Sequence, residues 1–124
     1  DLDPIQFPDN VYFPGKCKPE EKFSYLEQFD ICMVPFIHNK TKHHCPSKIL
    51  DYMKVKKNIL CTNVLGTIRE FPQCVDFFSD ATDFTSKAAI ILREKRVPNL
   101  KLYKKHLQNR KWEKTLSKYS EILK

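Results

Sequence analysis

Two short runs of uninterrupted apolar residues constrain this chain most. Ile31-Cys32-Met33-Val34 follows Asp30 and is closed by Pro35-Phe36, and Ile59-Leu60-Cys61, between Asn58 and Thr62, follows a basic turn. Neither alternates apolar with polar, as a strand with one wet face would. Short continuous runs suit strands buried on both faces, the situation inside a parallel sheet clad by helices. The stretches before and between them have helical spacing. Pro19-Glu20-Glu21 opens the first, because proline suits a first turn and the glutamates complement the helix dipole. Phe23, Leu26 and Phe29 then form one apolar stripe. Pro46-Ser47 opens the second, with Ile49, Leu50 and Met53 on its buried side.

The remaining chain extends the alternation. Residues 10–13 (Asn-Val-Tyr-Phe) are β-rich and end at Pro14-Gly15, which predicts a strand and a turn. Residues 63–67 read as a loop and 68–71 as a turn of helix before Pro72. Residues 74–78 (Cys-Val-Asp-Phe-Phe) predict another strand. Helices are expected over 82–95, with Ala88, Ala89, Ile91 and Leu92 inward, and over 99–108, with Leu100, Tyr103 and Leu107 inward. A last helix runs from about 109, with Trp112, Leu116, Tyr119 and Leu123 on its apolar side. The expectation is an α/β fold in one domain, 1–124: a Rossmann-like parallel sheet of about four strands, helices on both faces and closing C-terminal helices. Ligands of such sheets bind beyond the C-terminal strand ends, here 15–18, 36–45, 63–67 and 79–81.

Composition narrows the class without choosing a function. The net charge is +7, from 22 Lys and Arg against 15 Asp and Glu, which favours anionic partners: nucleotides, nucleic acid or a membrane surface. Much of the excess lies in 93–124, where a solvated helix face accounts for it. The basic residues there stand with Tyr103 and Trp112, but these aromatics fall on the apolar side, so core packing is expected and nucleic acid is not. Five cysteines, at 17, 32, 45, 61 and 74, form no Cys-x-x-Cys pair and leave one over, which argues against a disulfide framework or a zinc knuckle. A reducing compartment fits them best. No apolar run reaches membrane-spanning length and the acidic opening is unlike a signal peptide, so a cytoplasmic protein is expected, with association at the inner face of the membrane left open.

Candidate chemistry gathers around the helix that Pro46 opens. Free amides and the helix dipole at Pro46-Ser47-Lys48 favour a phosphate, although no Walker signature is present and a plain proline-initiated helix explains the start equally well. Asp51 is out of place on an apolar helix. Its carboxylate either accepts hydrogen bonds from a ligand diol or pairs with Lys48, three residues before it. His38, His43, His44 and Cys45 have zinc-like donors but lie in one loop, with only distant His106 to add, so no metal is expected. No Ser-His-Asp or Gly-x-Ser-x-Gly arrangement is recognisable.

These segments, in this order, resemble the donor-binding half of group 1 glycosyltransferases with the GT-B fold. The resemblance rests on Pro46-Ser47-Lys48-Ile49-Leu50-Asp51-Tyr52-Met53, on Lys57-Asn58-Ile59-Leu60-Cys61-Thr62, and on Gly66-Thr67-Ile68-Arg69-Glu70. The family patterns there are a Pro-x-Lys-x-x-Glu-Tyr helix, a Gly-Lys-Pro-Val-Val strand and a Gly-x-x-Glu loop. Flanking residues agree: 10–15 look like a strand ending in glycine, 30–36 like an Asp-hydrophobic-Pro strand, and Trp112-Glu113 like the opening of a closing helix.

The resemblance implies a role for each matching residue. Asp51 stands where a glutamate holds the nucleotide ribose, one methylene shorter. Pro46, Ser47 and Lys48 form the helix start that receives the diphosphate. Gly15 and Lys16 stand by the base, and Gly66 and Thr67 belong to the donor loop. His43 replaces a glutamate that touches the donor sugar, and Lys56 and Asn58 replace the usual Gly and Pro of a turn. No catalytic side chain is assigned, and neither cofactor nor metal is expected. The implied parent enzyme transfers a sugar from a nucleotide-diphosphate sugar to an acceptor such as a surface polysaccharide or lipid-linked glycan. The resemblance also implies that this chain is a fragment, inactive alone, lacking the acceptor domain and the first strand-helix-strand of the donor domain. The alternatives are a non-catalytic Rossmann-like interaction module and a GT-B sugar-nucleotide epimerase.

Overall fold

The computed structural model describes residues 7–36 and 46–124. Among them lie three strands and six α-helices: α1 (Lys22–Glu27, led in by a 3-10 turn at Pro19–Glu21), β1 (Ile31–Val34), α2 (Lys48–Lys54), β2 (Asn58–Thr62), α3 (Leu65–Glu70), β3 (Asp76–Phe78), α4 (Ala81–Arg93), α5 (Leu100–Asn109) and α6 (Trp112–Ile122). The sheet is parallel in the order β1-β2-β3, with Cys32 opposite Ile59 and Cys61 opposite Phe77. The α/β class and parallel sheet agree with the sequence reading.

Helices cover both faces. In a parallel ladder, paired residues share a face and their neighbours take the other. Val34, Ile59 and Cys61 therefore meet Ile49 and Met53 of α2, Phe71 at the end of α3, and Tyr103 of α5 in one core cluster, against which Phe77 also packs. Phe78 points the other way and meets Phe84 of α4, ring centroids 5.1 Å apart. Asp80 caps α4 by accepting from the Asp83 amide, and Asn99 caps α5 by accepting from the Leu102 amide. Thr62 ties the strand ends together: its hydroxyl accepts from the Phe36 amide at 2.8 Å and donates to the Val34 carbonyl at 3.4 Å.

Several sequence expectations are corrected. The strand expected at 10–13 is not formed: those residues are exposed coil, the Val11 amide is spent on a turn to the Pro8 carbonyl, and Pro8 and Pro14 cannot donate to a ladder. The sheet thus has three strands, not four. β3 begins at Asp76, because Gln73 at φ 63° and the Cys74 amide close a turn onto α3. Residues 65–67, expected in a loop, belong to α3. β1 is buried on one face only; Met33 is 46% exposed. The apolar side of α6 is exposed throughout, Trp112 included.

Candidate functional site

α1 and α2 run side by side in the same direction. Near their starts, Lys22 Nζ meets Asp51 Oδ2 at 2.9 Å; at their far ends, Lys57 Nζ donates to the Glu27 carbonyl at 2.8 Å. Since the chain enters β1 and β2 from the far ends, both helix starts stand at the C-terminal edge of the sheet. That edge is where the parallel topology predicts ligand contacts.

Pro14, Gly15, Lys16 and Lys22 line a cleft of about 210 Å³ floored by Tyr25 and Leu26 of α1. Gly15 sits at φ 84° with open space around its α-carbon, so the backbone bend, not crowding, asks for glycine. Lys22 joins this cleft to Asp51. Thus Gly15 and Lys16 share a cleft with Lys22, and Asp51, outside that cleft, is linked to it only through the Lys22 side chain, a bridge the sequence did not reveal. Only the packing of α1 on α2 identifies it.

Asp51 is one turn into α2 and half-buried. Its partners are Lys22 and, at 3.7 Å, Lys54; the pairing with Lys48 expected from the sequence is not made. Lys54 also lies over the Phe23 ring, 5.5 Å from its centroid. Lys48 is exposed and forms no ion pair among the described residues. At the start of α2 the Ile49 amide bonds to the Pro46 carbonyl and the Leu50 amide to the Ser47 carbonyl. An anion there would therefore meet the earlier amides, of Ser47 and Lys48, and the exposed Lys48 side chain. Pro46 is buried, and the Ser47 side chain makes no cap hydrogen bond.

Gly66 lies in the first turn of α3, at the same sheet edge, whereas Thr67 is fully buried and turns into the core. His43, with the rest of the His38–Cys45 cluster, lies outside the described residues. Lys56 has φ 57°, and the Lys57 amide reaches back to the Tyr52 carbonyl. This left-handed helix end is the backbone position glycine occupies most easily.

Nucleophilic chemistry is muted in the core. Burial pushes the Cys32 thiol up to about 11, against the lowering effect of Lys57. Burial also raises the Cys74 thiol and the Tyr52 phenol, the latter further raised by Cys32 and Asp51. Cys32, Cys61 and Cys74 are buried without disulfides and Cys17 is exposed. Among the described residues no three His, Cys, Asp or Glu side chains form a metal site, and no helix is long and apolar enough to cross a membrane.

The opposite edge of the sheet holds another cleft, of about 240 Å³, beside Asn58, Asp76, Arg96 and Tyr103. Several of its polar groups are engaged: Arg96 pairs with Asp76, the Asn58 side-chain Nδ2 donates to the Arg96 carbonyl, and the Tyr103 hydroxyl donates to the Lys57 carbonyl. At the C-terminal edge, by contrast, the exposed Lys48 stands at the start of α2 without an ion pair among the described residues. No protein-family model, curated protein or solved structure matches the chain, so its function is argued from this arrangement.

Proposed function

We propose that this chain is the larger part of a Rossmann-like nucleotide-sugar-binding domain of a GT-B glycosyltransferase. The observation that carries the reading is that Lys22 both lines the Gly15–Lys16 cleft and pairs with Asp51, on a helix that starts at the C-terminal edge of a parallel sheet. In this reading the donor base enters the cleft beside Gly15 and Lys16. Asp51 accepts from the ribose hydroxyls, releasing Lys22 toward the diphosphate. The amides of Ser47 and Lys48 and the Lys48 ammonium hold the departing diphosphate and stabilise the charge that develops on it. The acceptor, a surface polysaccharide or lipid-linked glycan, is bound by a separate domain of the parent chain, so these residues alone transfer no sugar.

A second reading has its own support. Asp51 is already satisfied by two lysines, as expected of a structural ion pair in a non-catalytic interaction module. Calorimetric titration separates the two. The donor reading expects at least one of UDP, GDP, ADP or CDP to bind with a Kd of about a millimolar or tighter, and Asp51→Ala to weaken it about ten-fold. Pyrophosphate binding as well as every nucleotide, with Asp51→Ala indifferent, would leave only a basic surface and the module.

A further inference from the structure

The positive charge of this chain is confined to one end. Residues 93–124 carry eleven Lys and Arg against three Glu, a net +8, so the first 92 residues are close to neutral at −1. The same end carries an unpartnered apolar face. On α6, Trp112, Leu116, Tyr119 and Leu123 recur at helical spacing, and all are at least 60% exposed. Lys114, Lys118 and Glu121 stand on the other side of the helix, whose own charges balance. At the start of α6, Lys111 also lines a groove of about 360 Å³ between α2 and α5. Its floor includes Met53, Leu100 and Leu107; Lys54, Lys56 and Lys104 join Lys111 around it, with no carboxylate among its lining residues. Lys56, Lys104 and Lys111 form no ion pair among the described residues.

We propose that the α5–α6 end is a membrane-surface anchor, in which the α6 stripe enters the interface of an anionic leaflet and the lysines around the α2–α5 groove hold lipid headgroups. An eleven-residue helix is far too short to span a bilayer but can lie in the plane of its interface. Trp and Tyr on the stripe are the side chains with an apolar body and a polar handle that this layer favours. Leu116 and Leu123 supply the apolar insertion, and the lysines supply attraction to anionic headgroups. An acidic peptide would match the charge but gives no reason for an exposed aromatic-aliphatic stripe on α6. The inference does not depend on nucleotide binding.

Trp112 is the only tryptophan, so its fluorescence reports on this surface alone. The chain is mixed with phosphatidylcholine vesicles with and without phosphatidylglycerol. The expected result is a blue shift of Trp112 emission and co-sedimentation with the phosphatidylglycerol vesicles, both weakened by salt. Leu116→Glu, at an exposed position that the fold does not need, should lower vesicle affinity about ten-fold or more. The pair Lys104→Glu and Lys111→Glu should abolish the preference for anionic lipid. No blue shift, equal binding to neutral vesicles, or indifference to Leu116→Glu overturns the proposal. So does a blue shift without lipid that grows with protein concentration, which marks a second copy as the occupant, or one produced equally by polyglutamate.

Discussion

α5 and α6 have the same kind of sequence and opposite fates. α5 is basic and α6 carries balanced charge, but each has one apolar stripe containing a tyrosine: Leu100, Tyr103 and Leu107 on α5, and Trp112, Leu116, Tyr119 and Leu123 on α6. Tyr103 is 2% exposed, packed in the main core, and donates to the Lys57 carbonyl at 2.9 Å. Tyr119 is 60% exposed and has no core contact. Periodicity says which residues would face a partner; it does not say whether the chain supplies one. α5 finds α2 and the sheet, whereas α6 projects its stripe outward.

The largest test of this contrast is the pair of tyrosine truncations. Tyr103→Ala removes a buried ring and should cost about 3–5 kcal/mol, enough to unfold a marginal domain. Tyr119→Ala should change stability by no more than about 0.5 kcal/mol. Chemical denaturation of both variants measures the difference, and equal costs would mean that α6 is packed after all. A smaller test uses the hydroxyls. Tyr103→Phe leaves the Lys57 carbonyl without its donor and should cost about 1 kcal/mol. Tyr119→Phe should leave the denaturation midpoint where it is.

What the sequence made legible follows the same division. β2 was readable to the residue, because Ile59-Leu60-Cys61 between two polar residues suits a short buried strand, and all five positions are buried. β1 was readable as a strand, but its run of four could not reveal that it lies at the sheet edge with Met33 outward. Residues 10–13 have strand-forming side chains, but flanking prolines and a local turn outweigh that preference. Around the candidate site, Asp51 stood out because an acid on an apolar helix is conspicuous. Lys22 did not, since nothing nearby in the sequence tells that α1 lies against α2. Its role exists only in tertiary structure, as does the burial of Thr67.

The subtlest expected effect again concerns α5. His106 lies against the Phe71 ring, centroids 5.2 Å apart, with Arg110 at 3.1 Å from its Nδ1. Burial, and then the charge of Lys105, hold its imidazole below the ordinary value. The unfolded chain therefore takes up the proton first as the pH falls. The stability from neutral His106 is complete above the unfolded pKa of about 6.5 and is lost as the pH drops through the lowered folded value. The melting temperature should decline from about pH 7.5 to about pH 5.5, and His106→Gln should make that decline shallower. An unchanged slope would mean that α5 is looser than its contacts imply.

The donor-site reading needs the C-terminal sheet edge, and neither α5 nor α6, to answer to a nucleotide. Amide chemical-shift mapping during titration with nucleoside diphosphates tests this most directly. The predicted result is that at least one of them shifts Gly15, Lys16, Lys22, Lys48 and Asp51 together, while the Trp112 indole stays in place. Shifts confined to α5 and α6, or no shift at the Gly15–Asp51 edge with any nucleoside diphosphate, would contradict it.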